Sequence, residues 1–292
     1  NRMSWRTVVI TRQAKLEEKL NYLYVRDAES TTKIHLSEIS VLMIESTAVS
    51  LTASLLCELS KRKIKVIFCD EKRSPQSELV SYNDGCDTSL KLKKQIAWTE
   101  DFKKAVWTEI VREKILMQAN LLYEMKKDEC DMLYRYIDEI CFGDSTNREG
   151  HAAKVYFNSL FGKDFTRQND SPTNAALNYG YSLILSCFNR EIVALGYTTK
   201  LGLFHDNMFN CFNLSSDLME PFRPLVDREV CTMFGDAFGK EEKAQLLGVL
   251  NQNVQFCGKS QTVANAIRLY CKCVTDALCE NDLGKLRFYR NE

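Results

Sequence analysis

From Ser89 onward the chain holds only three prolines, Pro172, Pro221 and Pro224. Proline locks φ and removes an N–H donor, so a long stretch with so few of them can sustain long helices. The apolar spacing agrees. Phe102, Ala105, Val106 and Ile110 fall on one helical stripe, and Ile184, Phe188, Ile192 and Leu195 on another. The earlier part of the chain reads differently. "TVVIT", "NYLYVRD", "KIHLSEI", "VLMIE" and "KVIFCD" are short β-branched or alternating runs that predict strands, with Ile34 and Leu36 on one face and His35 on the other. Between the last two runs, Leu51, Leu55, Leu56 and Leu59 repeat at helical spacing. Pro75 marks a break, "SELVSY" offers one more strand, and Asn83 to Asp87 is turn chemistry because Asp-Gly supports positive φ.

These patterns predict an α+β chain. A small N-terminal β-rich domain, β-sandwich-like with one helix, spans 3–82; a linker covers 83–88; a larger α-helical domain spans 89–292. No internal repeat stands out, and such an architecture does not by itself name a function.

Charge narrows the partners. The 39 Lys and Arg balance 39 Asp and Glu, so a nucleic-acid partner requires basic residues segregated onto one face. Lys61, Arg62, Lys63 and Lys65 form one candidate cluster and Lys91, Lys93 and Lys94 another, with Asp128, Glu129, Asp131, Asp138 and Glu139 as an acidic counterweight. The ordinary reading of each is a solvated face. The 12 cysteines show no C-x-x-C, and with three histidines they argue against structural zinc. Cys57, Cys69 and Cys187 sit in apolar company, which predicts buried, reduced thiols. No apolar run approaches the roughly 20 residues of a bilayer span, and no signal peptide is evident; a soluble cytoplasmic protein without membrane contact is expected. Asn1 and Arg2, ahead of Met3, read as an addition to the natural start.

The chemistry concentrates in two segments. Glu149 lies in "STNREGHAAKVYF" and Glu220 in "SSDLMEPFRP". Each fits a helix-capping reading: Thr146 to Glu149 as a capping box, and Asp217 to Glu220 as a variant with Asp217 as N-cap. His205 could be a helix-end histidine satisfied by backbone, His35 needs no role, and His151 points away from Glu149 on a helix. The functional reading joins Glu149, His205 and Glu220. Two carboxylates and a neutral imidazole carry a charge that a divalent cation balances, either Mg²⁺ or, because of the imidazole, Mn²⁺. Arg148 and Arg223, next to these acids, have the forked geometry that grips phosphate, and Asn147 could orient a phosphate oxygen.

At these residues the chain resembles the CRISPR-associated adaptation integrase, in "STNREGHAAKVYFNSLFG" and "FNLSSDLMEPFRPLVDR". "SWRTVVIT", "IHLSEI" and "VIFCDEKRSP" resemble the type II-A version. An acid followed by Pro-Phe-Arg-Pro, with a histidine upstream, is not generic capping sequence, and it turns the balance from capping to catalysis. The resemblance runs from Trp5 into the last helices; after Gly258 no motif matches.

The resemblance implies a β-domain followed by an α-helical catalytic domain, with Glu149, His205 and Glu220 as metal ligands and catalytic residues. Asp217 stays open as an alternate ligand or as a residue that holds one. The implied reaction joins the 3′-hydroxyl ends of a short double-stranded DNA fragment to the ends of a CRISPR repeat by transesterification. The implied partners are the prespacer and the leader–repeat DNA, a second copy in a homodimer, and a small second adaptation protein that completes a heterohexamer. The type II-A version adds a ring-forming DNA-end-binding protein and the RNA-guided effector nuclease. Two rival readings remain: a metal-dependent endonuclease without strand transfer, and a DNA-binding scaffold whose acids only cap helices.

Overall fold

Short β-branched runs in the first part of the chain pair into two four-stranded sheets. The structure, a computed structural model, describes residues 6–71, 73, 75–81, 88–233 and 237–291. It divides into two compact units, one running to Thr88 with Val193–Gly196 added, the other made of Ser89–Ile192 and the chain from Tyr197. The expected turn at Asn83–Asp87, most of the expected linker at 83–88, and Asn1 to Trp5 lie outside the described residues.

In the first unit the elements are β1 (Arg6–Ile10), β2 (Ala14–Lys19), β3 (Tyr22–Arg26), β4 (Thr31–His35), β5 (Ile39–Ile44), β6 (Val49–Leu51), α1 (Ala53–Lys61), β7 (Lys65–Cys69) and β8 (Pro75–Glu78). One sheet has the order β1-β5-β7-β8 and the other β4-β3-β2-β6. In the first, β5 runs parallel to β1 and β7, and β8 is antiparallel at the edge. Leu16 and Leu23 from one sheet, Leu42 and Val66 from the other, and Leu55 and Leu59 from α1 share one apolar cluster. Removing such side chains from water is worth about 1.5–3 kcal/mol each, which ties the sheets and the helix into one core.

Three expectations are corrected here. "KIHLSEI" is not one strand: β4 ends at His35, whose Nδ1 accepts the Ser37 N–H, and a 3₁₀ turn at Leu36–Glu38 precedes β5. The strand expected at "SELVSY" lies earlier, as β8, with Pro75 opening it. An edge strand tolerates proline at its first residue, where no ladder N–H is needed. Cys57 is exposed rather than buried, although Cys69 and Cys187 are buried and all three are free thiols.

Apart from the end residues Thr88, Val193 and Ala194, which fall in the first unit, the second unit contains α2 (Thr88–Ile96), α3 (Glu100–Glu124), α4 (Cys130–Asp138), α5 (Arg148–Phe161), α6 (Pro172–Ala194), α7 (Asn213–Leu218), α8 (Arg223–Cys231), α9 (Lys240–Gly248) and α10 (Val263–Glu280). The three prolines sit where helices allow them. Pro172 opens α6, Pro221 lies in a 3₁₀ turn at Glu220–Phe222, and Pro224 lies in the first turn of α8. The unit is not purely helical: β9 (Asn253–Phe256), β10 (Lys259–Thr262) and β11 (Tyr289–Asn291) form a sheet ordered β10-β9-β11. Cys257 and Gly258, both at positive φ, make the two-residue turn between β9 and β10. No helix among the described residues is long and apolar enough to cross a membrane.

The axis of this unit is α3. Val106, Ile110, Val111, Ile115, Leu121 and Leu122 are buried, and so are the polar Thr108, Glu113, Lys114 and Gln118. A helix covered on every side must find internal partners for its charged residues. Those partners build the site.

Candidate active site

Glu149 is placed by the turn ahead of α5. Gly143 and Asp144 take positive φ, and the Gly143 N–H donates to Thr108 Oγ1 on α3 at 2.8 Å. The Asp144 carboxylate then accepts the backbone N–H groups of Arg148 at 2.8 Å and Glu149 at 3.1 Å. Asn147, left-handed at φ 54°, is the N-cap and accepts the Gly150 N–H. The first turn is therefore satisfied without Glu149. This corrects the capping reading: the cap is Asn147, not Thr146, and the Glu149 carboxylate turns instead to the Lys114 ammonium.

Glu220 approaches the same ammonium from the 3₁₀ turn between α7 and α8. Its Oε2 contacts Lys114 Nζ, and its Oε1 lies 2.9 Å from Arg223 Nη2. Burial pushes the Glu220 carboxyl up, but Arg223 and Lys114 outweigh it and hold the group below the usual range. Burial likewise lowers Lys114, and its two glutamates reverse that and hold it above the ordinary lysine value. Tyr289 on β11 donates to the Pro221 carbonyl at 3.0 Å, and the Phe222 and Tyr289 rings lie 4.6 Å apart. The last strand thus braces the turn that carries Glu220.

His205 is fixed by Asp217. This aspartate is fully buried inside α7, whose N-cap is Phe212, so the reading of Asp217 as an N-cap is also corrected. Its Oδ2 accepts the N–H groups of Leu203 at 2.6 Å and Phe204 at 3.1 Å; its Oδ1 accepts that of His205 at 3.1 Å. His205 Nδ1 lies 2.5 Å from the same Oδ1. An ionised carboxylate only accepts, so Nδ1 carries the proton and the Nε2 lone pair is left for a ligand. That bond, acting against burial, raises the His205 pKa above its ordinary value. A side chain at Gly202 would put Cβ 2.2 Å from the His205 carbonyl and 2.8 Å from Asp217 Oδ2, so only glycine fits. From α3, Trp107 stacks on Phe204 at 4.7 Å and meets the His205 ring edge-on at 6.0 Å.

The two glutamates therefore converge on one cation, and His205 is near enough to Glu220 for each charge to act on the other. Among the described residues no three His, Cys, Asp or Glu side chains are gathered closely enough to hold a metal ion. An ammonium stands between the glutamates.

The three residues expected to bind phosphate have intramolecular partners. Asn147 caps α5. Arg148 pairs with Glu139 at 2.9 Å and lies over the Tyr136 ring. Arg223, besides Glu220, lies 4.7 Å above the Tyr181 ring. In the basic cluster of the first unit, Lys65 is buried and pairs with Glu78, so it offers no charge to a surface. Lys93 and Lys94 on α2 are exposed.

A buried polar group lies behind the site. The Asp227 carboxylate on α8 accepts the Tyr156 hydroxyl at 2.8 Å and the Tyr181 hydroxyl at 2.5 Å. Sequence reading missed Lys114, Asp144, Asp227 and Tyr289. For Lys114 a signal existed: "VREKILMQ" sets charged residues between apolar ones on a helix with no polar face, the mark of buried pairs.

Two solved proteins share this architecture at low identity. A Cas1 protein from Thermotoga maritima superposes with a TM-score of 0.77 at 17% identity, over 98% of this chain and 100% of that one. A casposase bound to integration product gives 0.77 at 18% identity, over 95% and 92%. The α+β arrangement, a two-sheet unit followed by a mainly helical one, is thus the fold of the Cas1 class of proteins. Residues 7–245 match the model of the family described as CRISPR associated protein Cas1. A CRISPR-associated endonuclease Cas1 from Neisseria meningitidis serogroup C (strain 8013) is 35% identical over 233 residues, covering 80% of this chain and 77% of that protein. The chain belongs to the Cas1 family.

Proposed function

We propose that this chain is a metal-dependent DNA integrase of CRISPR adaptation, joining the 3′-hydroxyl ends of a short DNA fragment to the ends of a CRISPR repeat. The observation that carries the reading is the convergence of Glu149 and Glu220, from distant parts of the sequence, on one buried positive charge beside a carboxylate-held histidine. Membership of the Cas1 family and the relative named as an endonuclease support it.

The donor set fits a divalent ion. Two carboxylates already close on a cation, and the buried Glu220 Oε2 meets Lys114 outside hydrogen-bond geometry, so it retains acceptor capacity. Glu149, Glu220 and His205 Nε2 would hold Mg²⁺ or Mn²⁺. Such an ion would supply Lewis acidity to the attacking hydroxyl, or to the leaving oxygen, and to the phosphate between them. Asp217 keeps Nδ1 protonated and the ring oriented, while Arg223 holds the Glu220 carboxylate through Oε1. The chemistry exchanges one phosphodiester for another, so no protein nucleophile is needed and the same residues serve the reverse reaction.

A fragment has two ends, so joining both needs two sites at a fixed separation, which a homodimer bridged by the small second adaptation protein would provide. Assignment to the type II-A version rests on the segments around Thr7, Leu36 and Phe68 and brings in the ring-forming end-binding protein and the RNA-guided effector nuclease. Incubation with Mn²⁺, a supercoiled repeat-bearing plasmid and a labelled fragment tests the activity. Covalent label on the plasmid is expected; label-free nicking would mean an endonuclease instead. Glu149→Gln, His205→Ala and Glu220→Gln should each fold yet lose joining by at least about 100-fold. Joining retained in all three would refute the assignment of these residues to the chemistry, whereas no joining by the wild type would favour the scaffold reading.

A further inference from the structure

We propose that Lys114 is a built-in counterion, which stands in for the metal when the centre is metal-free and gives way when a divalent ion binds. The inference rests on Glu149 and Glu220 being metal ligands. Lys114 contacts one oxygen of each, and its side chain is only 7% exposed. It rises from the middle of α3, a helix buried along most of its length. Two carboxylates facing each other in a dry interior repel strongly unless a cation lies between them. Arg223 answers one of them through Glu220 Oε1. With Lys114 the four groups sum to zero, so the centre is charge-balanced with no metal present.

A divalent ion held by the same carboxylates has to enter the space beside the ammonium, and like charges cannot share it. One cation must leave. Arg223 is pinned between Glu220 and the Tyr181 ring. Lys114 has a flexible four-carbon stem and, among the described residues, pairs with the two glutamates alone. Lys114 is therefore the group that moves. Every metal-binding event is then an exchange of cations, and apparent metal affinity is lowered by the competition. In return the fold around the centre does not depend on metal.

The test uses the full chain, with Mn²⁺ as the probe, and compares wild type with Lys114→Met. Metal-free thermal melting and calorimetric Mn²⁺ titration are the readouts. The variant should melt lower without metal, gain more on Mn²⁺ addition, and bind Mn²⁺ at least about tenfold more tightly. Unchanged or weaker Mn²⁺ binding overturns the exchange. If Lys114→Met does not fold alone, the double variant Lys114→Met with Glu149→Gln should fold, because it lacks the repelling pair. Failure of the single variant to refold at saturating Mn²⁺, with the double variant folded, also overturns it. Control titrations separate the two readings. If His205→Ala and Glu220→Gln leave Mn²⁺ binding unchanged, the ligand assignment is wrong. If they abolish it while Lys114→Met titrates like wild type, the assignment stands and the exchange alone fails.

Discussion

The Asp217 carboxylate holds His205 twice, accepting its backbone N–H at 3.1 Å and lying 2.5 Å from its Nδ1. With Leu203 and Phe204 added, four donors converge on this one buried group. In Asp217→Asn an amide NH₂ must face one pair of these donors. The expected cost is about 2–4 kcal/mol in chemical denaturation. The ring should also lose its single tautomer, which nitrogen chemical shifts of His205 would report. A variant as stable as wild type, with unchanged shifts, would refute this role.

Asn147 caps α5 from a left-handed backbone, which separates two substitutions. Asn147→Ala loses the side-chain acceptor and strains the backbone, and should cost about 1–2 kcal/mol. Asn147→Gly loses only the acceptor and should cost a few tenths. Equal losses in the two variants, measured by urea denaturation, would count against the cap.

Asp227 gives the second unit a pH signature. Burial pushes its carboxyl up to about 6, although two tyrosine hydroxyls and nearby arginines pull the other way. In the unfolded chain it titrates near 3.8. Between those values the folded protein keeps a proton that the unfolded chain has released. The associated stability is full below the window and is lost as pH rises through it. Relative to Asp227→Asn, wild type should lose on the order of 3 kcal/mol from pH 4 to pH 7. Parallel stability–pH curves for the two proteins would contradict the assignment.

Tyr289→Phe removes one buried hydrogen bond to the Pro221 carbonyl and keeps the ring contact with Phe222. About 1–2 kcal/mol should be lost. Because the bond lies one residue from Glu220, Mn²⁺ affinity should weaken as well, read by titration.

Sequence periodicity carried β1, β3, β5, β7 and α1, because each buries a face at its own period. It missed β2, where "AKLEEK" hides two buried positions, Ala14 and Leu16, among charges. It also missed β9 to β11, whose short polar strands pair across α10. Of the candidate site, Glu149, His205, Glu220 and Asp217 were legible because their segments carry a recognisable pattern. Lys114, far from them in sequence, carried only the general sign of charged residues set among apolar ones, with nothing to name its partners. A lysine in a helix reads as solvent-facing until the packing around that helix is known. The capping readings failed for a similar reason: local spacing could not reveal that Asp144 and Asn147 had already satisfied the α5 amides.

Glu113 and Lys114 are neighbours on α3, yet they answer to different partners within the second unit. Glu113 pairs with Arg290 of β11, while Lys114 meets Glu149 and Glu220. Consecutive side chains on a helix diverge by about 100°, so a single turn of α3 links β11 to the candidate site. Cutting the chain before Tyr289, or fusing a tag there, should therefore register as a chemical defect rather than a cosmetic one.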